Sequence, residues 1–465
     1  MKFKLLLILS LLFIASDLFS KENVKLGLKP RMVVLTDIAP NNIEPDDMES
    51  MIRLLVHADL YEIEAIVATT GWSNTGGQQR LDLVHLALDA YEKDLTNLKK
   101  RSDQDGFLSN ENKQNMGYWP SPSYLKSRSV VGSTKMGMRF IGKGNDSEGS
   151  ELIIRLADEK DDRPIWITVW GGGNTFAQAV WRVQQDRTPE QFRAFLRKFR
   201  VYTITDQDRP WSSGDTISHD ISAHQYLRSF ENDLIFLWCE CAWKHHNDTG
   251  VKNWNQYATH IQGHGNLGRL YPKYKWGVEG DTPSFLHLMP NGLSDPDMPT
   301  QVSWSGYFDM GYGKDPKTRA FTNNSGRAYE IGTKYFAYFY PASFDQFASR
   351  MDWAANGKGN RNPIVSINND LGIAPITIQV GLQKQIQLDA SRSIDPDGDS
   401  LQYKWFVIQE AGSFPQEVLL LNATSSKVTV QIPDNAKNKT FHLICEVTDN
   451  GTPALKAYRR IIFEL

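Results

Sequence analysis

Three carboxylates, Asp37, Asp46 and Asp47, follow one short apolar run, Met32-Val33-Val34-Leu35. The run predicts a buried strand with Asp37 at its end. Pro45, and Met48, Met51, Ile52, Leu55 and Val56 at helical spacing, predict a helix that opens on Asp46 and Asp47. Strand, acidic loop and helix bring three negative charges to one end of a sheet, where open α/β sheets bind ligands. Such charges repel one another unless a cation joins them, so the pattern predicts the floor of a site for a hard metal ion. An Asp-Asp pair that only caps a helix is the competing reading, and Asp37 at the strand end weighs against it.

The elements that must position these groups can be followed along the chain. Residues 62–69 read as a second strand and 81–91 as a second helix. The stretch 100–147 is polar and rich in Gly, Pro, Ser and Asn, and reads as a loop-bearing insertion without a sheet strand. Residues 164–170 form another apolar run, which Gly171-Gly172-Gly173 turns into a helix near Asn174. Carbonyls at that turn are usable oxygen ligands for the same ion. A phosphate cradle is set aside because the Gly-x-Gly-x-x-Gly and Walker patterns are absent. Strands at 200–204 and 234–238 follow, the first ending near Asp206 and Asp208, which suit either the site or loop capping. Strands alternating with helices predict a doubly wound, mostly parallel α/β sheet.

From 241 to 340 aromatic residues lie among Gly, Pro and Asn, and this segment is expected to cover the ligand end of the sheet. The aromatics suit stacking on sugar rings or packing among themselves. A helix is expected at 344–353, a linker at 357–363, and a β-sandwich over 364–465 built from runs at 376–380, 386–388, 401–407, 428–432 and 441–447. Asp395-Pro396-Asp397-Gly398-Asp399 is read as a hairpin turn in preference to a calcium loop.

Composition bounds the function classes. The 465 residues are 40% hydrophobic and 23% charged, as in globular domains, and a formal net charge of −3 leaves no basic footprint for nucleic acid. Residues 1–20, with Lys2 and Lys4 before an apolar run, have the layout of a signal peptide. The run is shorter than the roughly 20 residues a spanning helix needs, so the mature chain, 21 onward, is expected in a periplasm or secreted, without stable membrane insertion. Cys239, Cys241 and Cys445 make no disulfide framework and read as buried thiols.

With Asp37, Asp46-Asp47 and the glycine turn in view, residues 30–353 resemble the nucleoside hydrolases. The whole chain is similar to a secreted bacterial family that joins a nucleoside hydrolase-like domain, here 21–356, to a C-terminal sandwich, one member being cellulose-binding. The resemblance implies Ca2+ held by Asp37, Asp46, Asp47, Asp345 and the carbonyl of Asn174, with Asp37 as general base. It implies substrate contacts from Asn74, in Thr69-Thr70-Gly71-Trp72-Ser73-Asn74, and from Glu279 and Asp281, with Asp206 and Asp208 as weaker candidates. Leu35 stands where the family's acidic loop has its first Asp, the loop is longer, and Phe344 replaces a His that assists a departing nucleobase. The implied activity is hydrolysis of a glycosidic bond, N- or O-linked, in a carbohydrate or glycoside. The alternative is carbohydrate binding without catalysis; a homodimer is implied by analogy.

Overall fold

The computed structural model describes residues 27–72, 78–208, 222–312 and 317–465; the expected signal segment and Asn74 lie outside them. Eight strands form the main sheet: β1 (Arg31–Thr36), β2 (Glu62–Ala68), β3 (Ser129–Val131), β4 (Ile165–Val169), β5 (Phe199–Ile204), β6 (Ile235–Cys239), β7 (Asp309–Gly311) and β8 (Ala320–Thr322). Their order is β3-β2-β1-β4-β5-β6-β8-β7, parallel throughout except for the antiparallel edge pair β7 and β8. This is the predicted doubly wound sheet.

All six residues of β1 are buried. Met32 and Val34 enter the core on one face with Ile66 and Trp166, and Val33 and Leu35 enter the other with Val67 and Ile167. A strand covered on both sides needs apolar residues at every position, hence an unbroken run in place of alternation. Each such side chain contributes about 1.5–3 kcal/mol on burial.

The helices, in order, are α1 (Asp46–Leu55), α2 (Leu81–Arg101), α3 (Pro122–Ser127), α4 (Glu148–Asp158), α5 (Asn174–Asp186), α6 (Pro189–Arg197), α7 (Ala223–Arg228), α8 (Cys241–Lys252), α9 (Trp254–His260), α10 (Gly265–Leu270), α11 (Pro283–Leu286) and α12 (Gly326–Asn356). None among the described residues is long and apolar enough to cross a membrane. The loop reading of 100–147 is corrected, since β3 lies there and pairs with β2 from Ile66 to Ala68. Three residues are too few to show a period. The helix expected at 344–353 is the end of the 31-residue α12, which Gly357 closes at φ +68, a conformation glycine adopts without steric cost.

Beyond it, β9 (Ile376–Gln379), β10 (Gln385–Asp389), β11 (Gln402–Ile408), β12 (Leu420–Leu421), β13 (Lys427–Gln431), β14 (Thr440–Thr448) and β15 (Lys456–Glu464) make two sheets, β10-β13-β12 and β11-β14-β15-β9. They enclose a separate core that includes Leu388, Trp405, Val430, Leu443 and Phe463. The three cysteines are free and buried.

A buried seam joins this sandwich to the larger sheet domain. Arg460, on β15, donates from Nε to Leu293 O at 2.6 Å and from Nη2 to Val302 O at 3.0 Å. The backbone N–H groups of Tyr458 and Arg460 donate to Asn291 O at 3.0 Å and Gly292 O at 3.1 Å.

A candidate metal centre at the carboxyl ends of the strands

The chain leaves β1 at Thr36, in the middle of the sheet, with β2 on one side and β4 on the other. Successive strands run outward in opposite directions from this point, and loops that diverge there leave a crevice. Asp37 stands in it, 1% exposed. Gly71, after β2, and Gly171, after β4, press on its carboxylate from both sides: a Cβ added to either would lie 2.4 Å and 1.9 Å from an Asp37 oxygen. A side chain at either position would displace the Asp37 carboxylate.

Asp46 and Asp47 open α1, as predicted, with Pro45 before them. Asp47 accepts a hydrogen bond from the Thr36 hydroxyl, which in turn accepts the Ile38 N–H at 3.1 Å. This ties the helix start to the strand end. The third member of the group is Asp281, just before α11, whose carbonyl accepts from Ser284 Oγ at 2.7 Å, while Ser284 Oγ accepts from Trp170 Nε1 at 2.8 Å. Carboxylate oxygens of Asp46, Asp47 and Asp281 all lie within 4.8 Å of one another.

Burial and mutual repulsion hold all three carboxyls well above the usual carboxylate range, with the Asp37 and Glu44 charges adding to the effect. Asp46 Oδ1 is buried without a hydrogen-bond partner. An all-oxygen, strongly acidic group with one stranded oxygen fits a hard divalent cation. Asp37, Glu44, Asp46, Asp47 and Asp281 line one cavity of about 460 Å³, together with Trp72, Trp170, Trp243, Trp276, Gln207 and Asn247. Asn247 Oδ1 is also buried and unpartnered.

Other expected site residues are placed elsewhere. Asp345 is half-buried on α12, where Lys456 and His260 are the charges that act on it; neither lines the cavity. Asp281 takes the position beside the aspartate pair that the resemblance gave to Asp345, and Gly280 precedes it. Asn174 does not line the cavity, and its side chain bonds another loop, with Nδ2 donating to Gly137 O at 3.0 Å and Oδ1 accepting Gly137 N–H at 2.8 Å; the ligand atom expected of it is the main-chain carbonyl, which these bonds do not engage. Asp206 accepts from Ser222 Oγ and Asp208 from the Ala223 N–H, both at 2.9 Å, so this pair orders the start of α7. Burial and Asp206 push the Asp208 carboxyl up to about 7.

Glu279 is fully buried behind the cavity. Its Oε2 lies 2.6 Å from Arg53 Nη1 and 2.9 Å from His246 Nε2, and its Oε1 accepts from Tyr271 Oη at 2.8 Å. Burial alone would raise its pKa, but Arg53 and His246 hold it below the ordinary value. Fully buried and turned to these partners, Glu279 does not line the cavity.

Trp243 and Trp276 come from the aromatic segment expected over the ligand end of the sheet, whereas sequence reasoning gave Trp170 only to a strand and missed Asn247. Asn247 gave no signal, because its role depends on Gly277 and Gly280: a Cβ on either would lie 2.3 Å and 3.2 Å from the Asn247 side chain.

Residues 31–308 match the family described as cellulose-binding Sde182, nucleoside hydrolase-like domain, and residues 385–465 match the cellulose-binding protein Sde0182, C-terminal domain. No curated protein matches the chain. Among solved structures, the fold is similar to a nucleoside hydrolase-related hypothetical protein from Saccharophagus degradans that is associated with carbohydrate metabolism. That chain is 34% identical with a TM-score of 0.79, over 94% of this chain and 99% of the other. A central crevice of carboxylates on a doubly wound sheet, a sandwich at the C-terminus and matches across both make the chain a member of the cellulose-binding Sde182 family, with a nucleoside hydrolase-like domain.

Proposed function

We propose that the chain is an exported, calcium-dependent hydrolase of glycosidic bonds that acts on a carbohydrate or glycoside. The observation that carries this reading is the stranded Oδ1 of Asp46, within a three-aspartate group on the floor of a tryptophan-lined cavity. Asp46, Asp47 and Asp281 would hold the ion. Bound there, calcium supplies positive charge and a template for water and vicinal sugar hydroxyls.

The chain's own residues account for the remaining work. Asp37, fixed between two glycine backbones, takes the proton of the attacking water as general base. The carboxylates around it stabilise positive charge that develops at the anomeric carbon as the leaving group departs. Faces of Trp72, Trp243 and Trp276 stack on the sugar, and Asn247 Oδ1 accepts a hydroxyl proton. Export rests on the layout of residues 1–20, and the expected boundaries, 21–356 and 364–465 about a linker, are part of the same proposal.

A second reading, carbohydrate binding without turnover, is favoured by the family description and by a cavity wall that has no imidazole among its described residues. Calcium content of the purified chain, measured with release of reducing sugar from nucleosides, aryl glycosides and polysaccharide fragments, separates the two. Calcium with turnover supports the hydrolase. Sugar binding by a calcium-loaded protein that never turns over supports the second reading, and absence of calcium removes the metal-site model.

A further inference from the structure

The turn at 395–399 is not the expected hairpin: it carries the chain from β10 in one sheet of the sandwich to β11 in the other, strands that do not pair with each other. Asp395 Oδ1 accepts the N–H groups of Asp397 at 2.8 Å and Asp399 at 3.1 Å. Those bonds account for one oxygen, whereas Oδ2 is buried and has no partner. Asp449, just after β14 and 2% exposed, repeats the pattern. Its Oδ1 accepts from Asn360 Nδ2 at 2.9 Å, Gly451 N at 3.0 Å and Leu455 N at 2.9 Å, and its Oδ2 is buried without a partner.

The two loops are stitched together where the Ser400 N–H donates to Asn450 Oδ1 at 2.8 Å. Burial raises the Asp449 carboxyl, and the Asp395 charge raises it further. Nearby arginines do not supply the counter-charge. Arg101 and Arg361 each place Nη2 2.8 Å from Asp397 Oδ1.

We propose that Asp395 and Asp449 hold a calcium ion at the joint between the linker and the sandwich, separate from the group around Asp46. Each aspartate has one oxygen anchored by N–H donors and one stranded, so each is pre-set to give that second oxygen to a cation. Calcium tolerates irregular shells completed by main-chain carbonyls and water, and extracellular modules bind it at about 10⁻⁴–10⁻³ M. The ion would fix the 395–400 and 449–455 segments. Asn360 connects these to α12, its carbonyl accepting from Ser349 Oγ at 2.8 Å and Trp353 Nε1 at 2.9 Å. Calcium would thereby set the rigidity of the interdomain joint.

The test uses the full mature chain carrying Asp46→Asn and Asp281→Asn, which disables the cavity group. Equilibrium dialysis against millimolar calcium chloride is expected to leave one calcium per chain, with Tm rising by roughly 2–4 °C. Adding Asp395→Asn or Asp449→Asn is expected to abolish both effects. Either change removes a carboxylate charge that opposes the other's, so the calcium-free Tm should be unchanged or higher. Should Asp449→Asn fail to fold, the half-exposed Asp395 decides the matter. No calcium in the cavity-disabled chain, or a calcium count and Tm response that survive Asp395→Asn, would overturn the proposal. Failure of the cavity reading shows up separately, as a calcium count that the Asp46 and Asp281 changes do not lower.

Discussion

Arg53 and Glu279 form an ion pair, Nη1 to Oε2 at 2.6 Å, in which the two side chains are 1% and 0% exposed. It braces α1 against the loop that carries Asp281, and the Glu279 N–H adds a bond to Glu49 Oε2 at 2.7 Å. Removing one partner of a buried pair strands the other charge. Glu279→Gln is therefore expected to cost about 3–5 kcal/mol in urea unfolding, while sugar affinity of the folded fraction stays unchanged. The lowered Glu279 pKa gives a contribution present above the ordinary glutamate value and lost as pH falls through the depressed one.

Calcium affinity separates the aspartates. Asp281→Asn and Asp47→Asn are each expected to lose tenfold or more in the affinity of the cavity site, whereas Asp345→Asn changes it less than twofold, as read by calcium titration calorimetry.

Gly171→Ala inserts a methyl into the space of the Asp37 carboxylate. Turnover on any substrate found is expected to fall about 10²-fold or more, with calcium still bound, because the base is displaced and the three-aspartate group is not.

Trp276 is 73% exposed, and its Nε1 donates to Ile43 O at 3.3 Å. So exposed a ring contributes little to folding. Trp276→Ala should weaken binding of a sugar ligand about tenfold, or about 1.4 kcal/mol, and shift stability by less than about 0.5 kcal/mol.

Acid is expected to destabilise the chain through histidines buried in neutral form. Burial lowers the His287 pKa from 6.5 to about 4, and burial with Arg460 nearby lowers that of His442 to about 3. The unfolded chain takes up these protons at higher pH, so the histidines' contribution to stability is full above about 6.5 and is lost as pH falls toward 4. His287 alone accounts for on the order of 3 kcal/mol. The His287→Gln variant, which retains a donor for Pro296 O, should flatten that part of the urea midpoint against pH.

The legible part of the fold was carried by long apolar runs. β1, β2, β4, β5 and β6 are covered on both faces, and their composition shows it; β3, β7 and β8, of three residues each, have no room for a period. In the site, Asp37, Asp46 and Asp47 were legible because one strand end and one helix start place them. Asp281 is brought in from a loop more than 200 positions away, and nothing local marks it as their partner. Asp345 was misplaced for the converse reason: local likeness of a dipeptide says nothing about which side of a 31-residue helix faces the cavity.

The Arg460 seam means that the sandwich is not a detachable module. Its guanidinium is fully buried, with its pKa drawn down to about 9 by burial, and two of its acceptors are carbonyls of the other domain. A fragment cut at the linker would turn that charge, and the 458–460 edge of β15, outward to solvent. Cutting the chain there would thus change the surface of both parts, and the length of the linker matters less than the seam beside it.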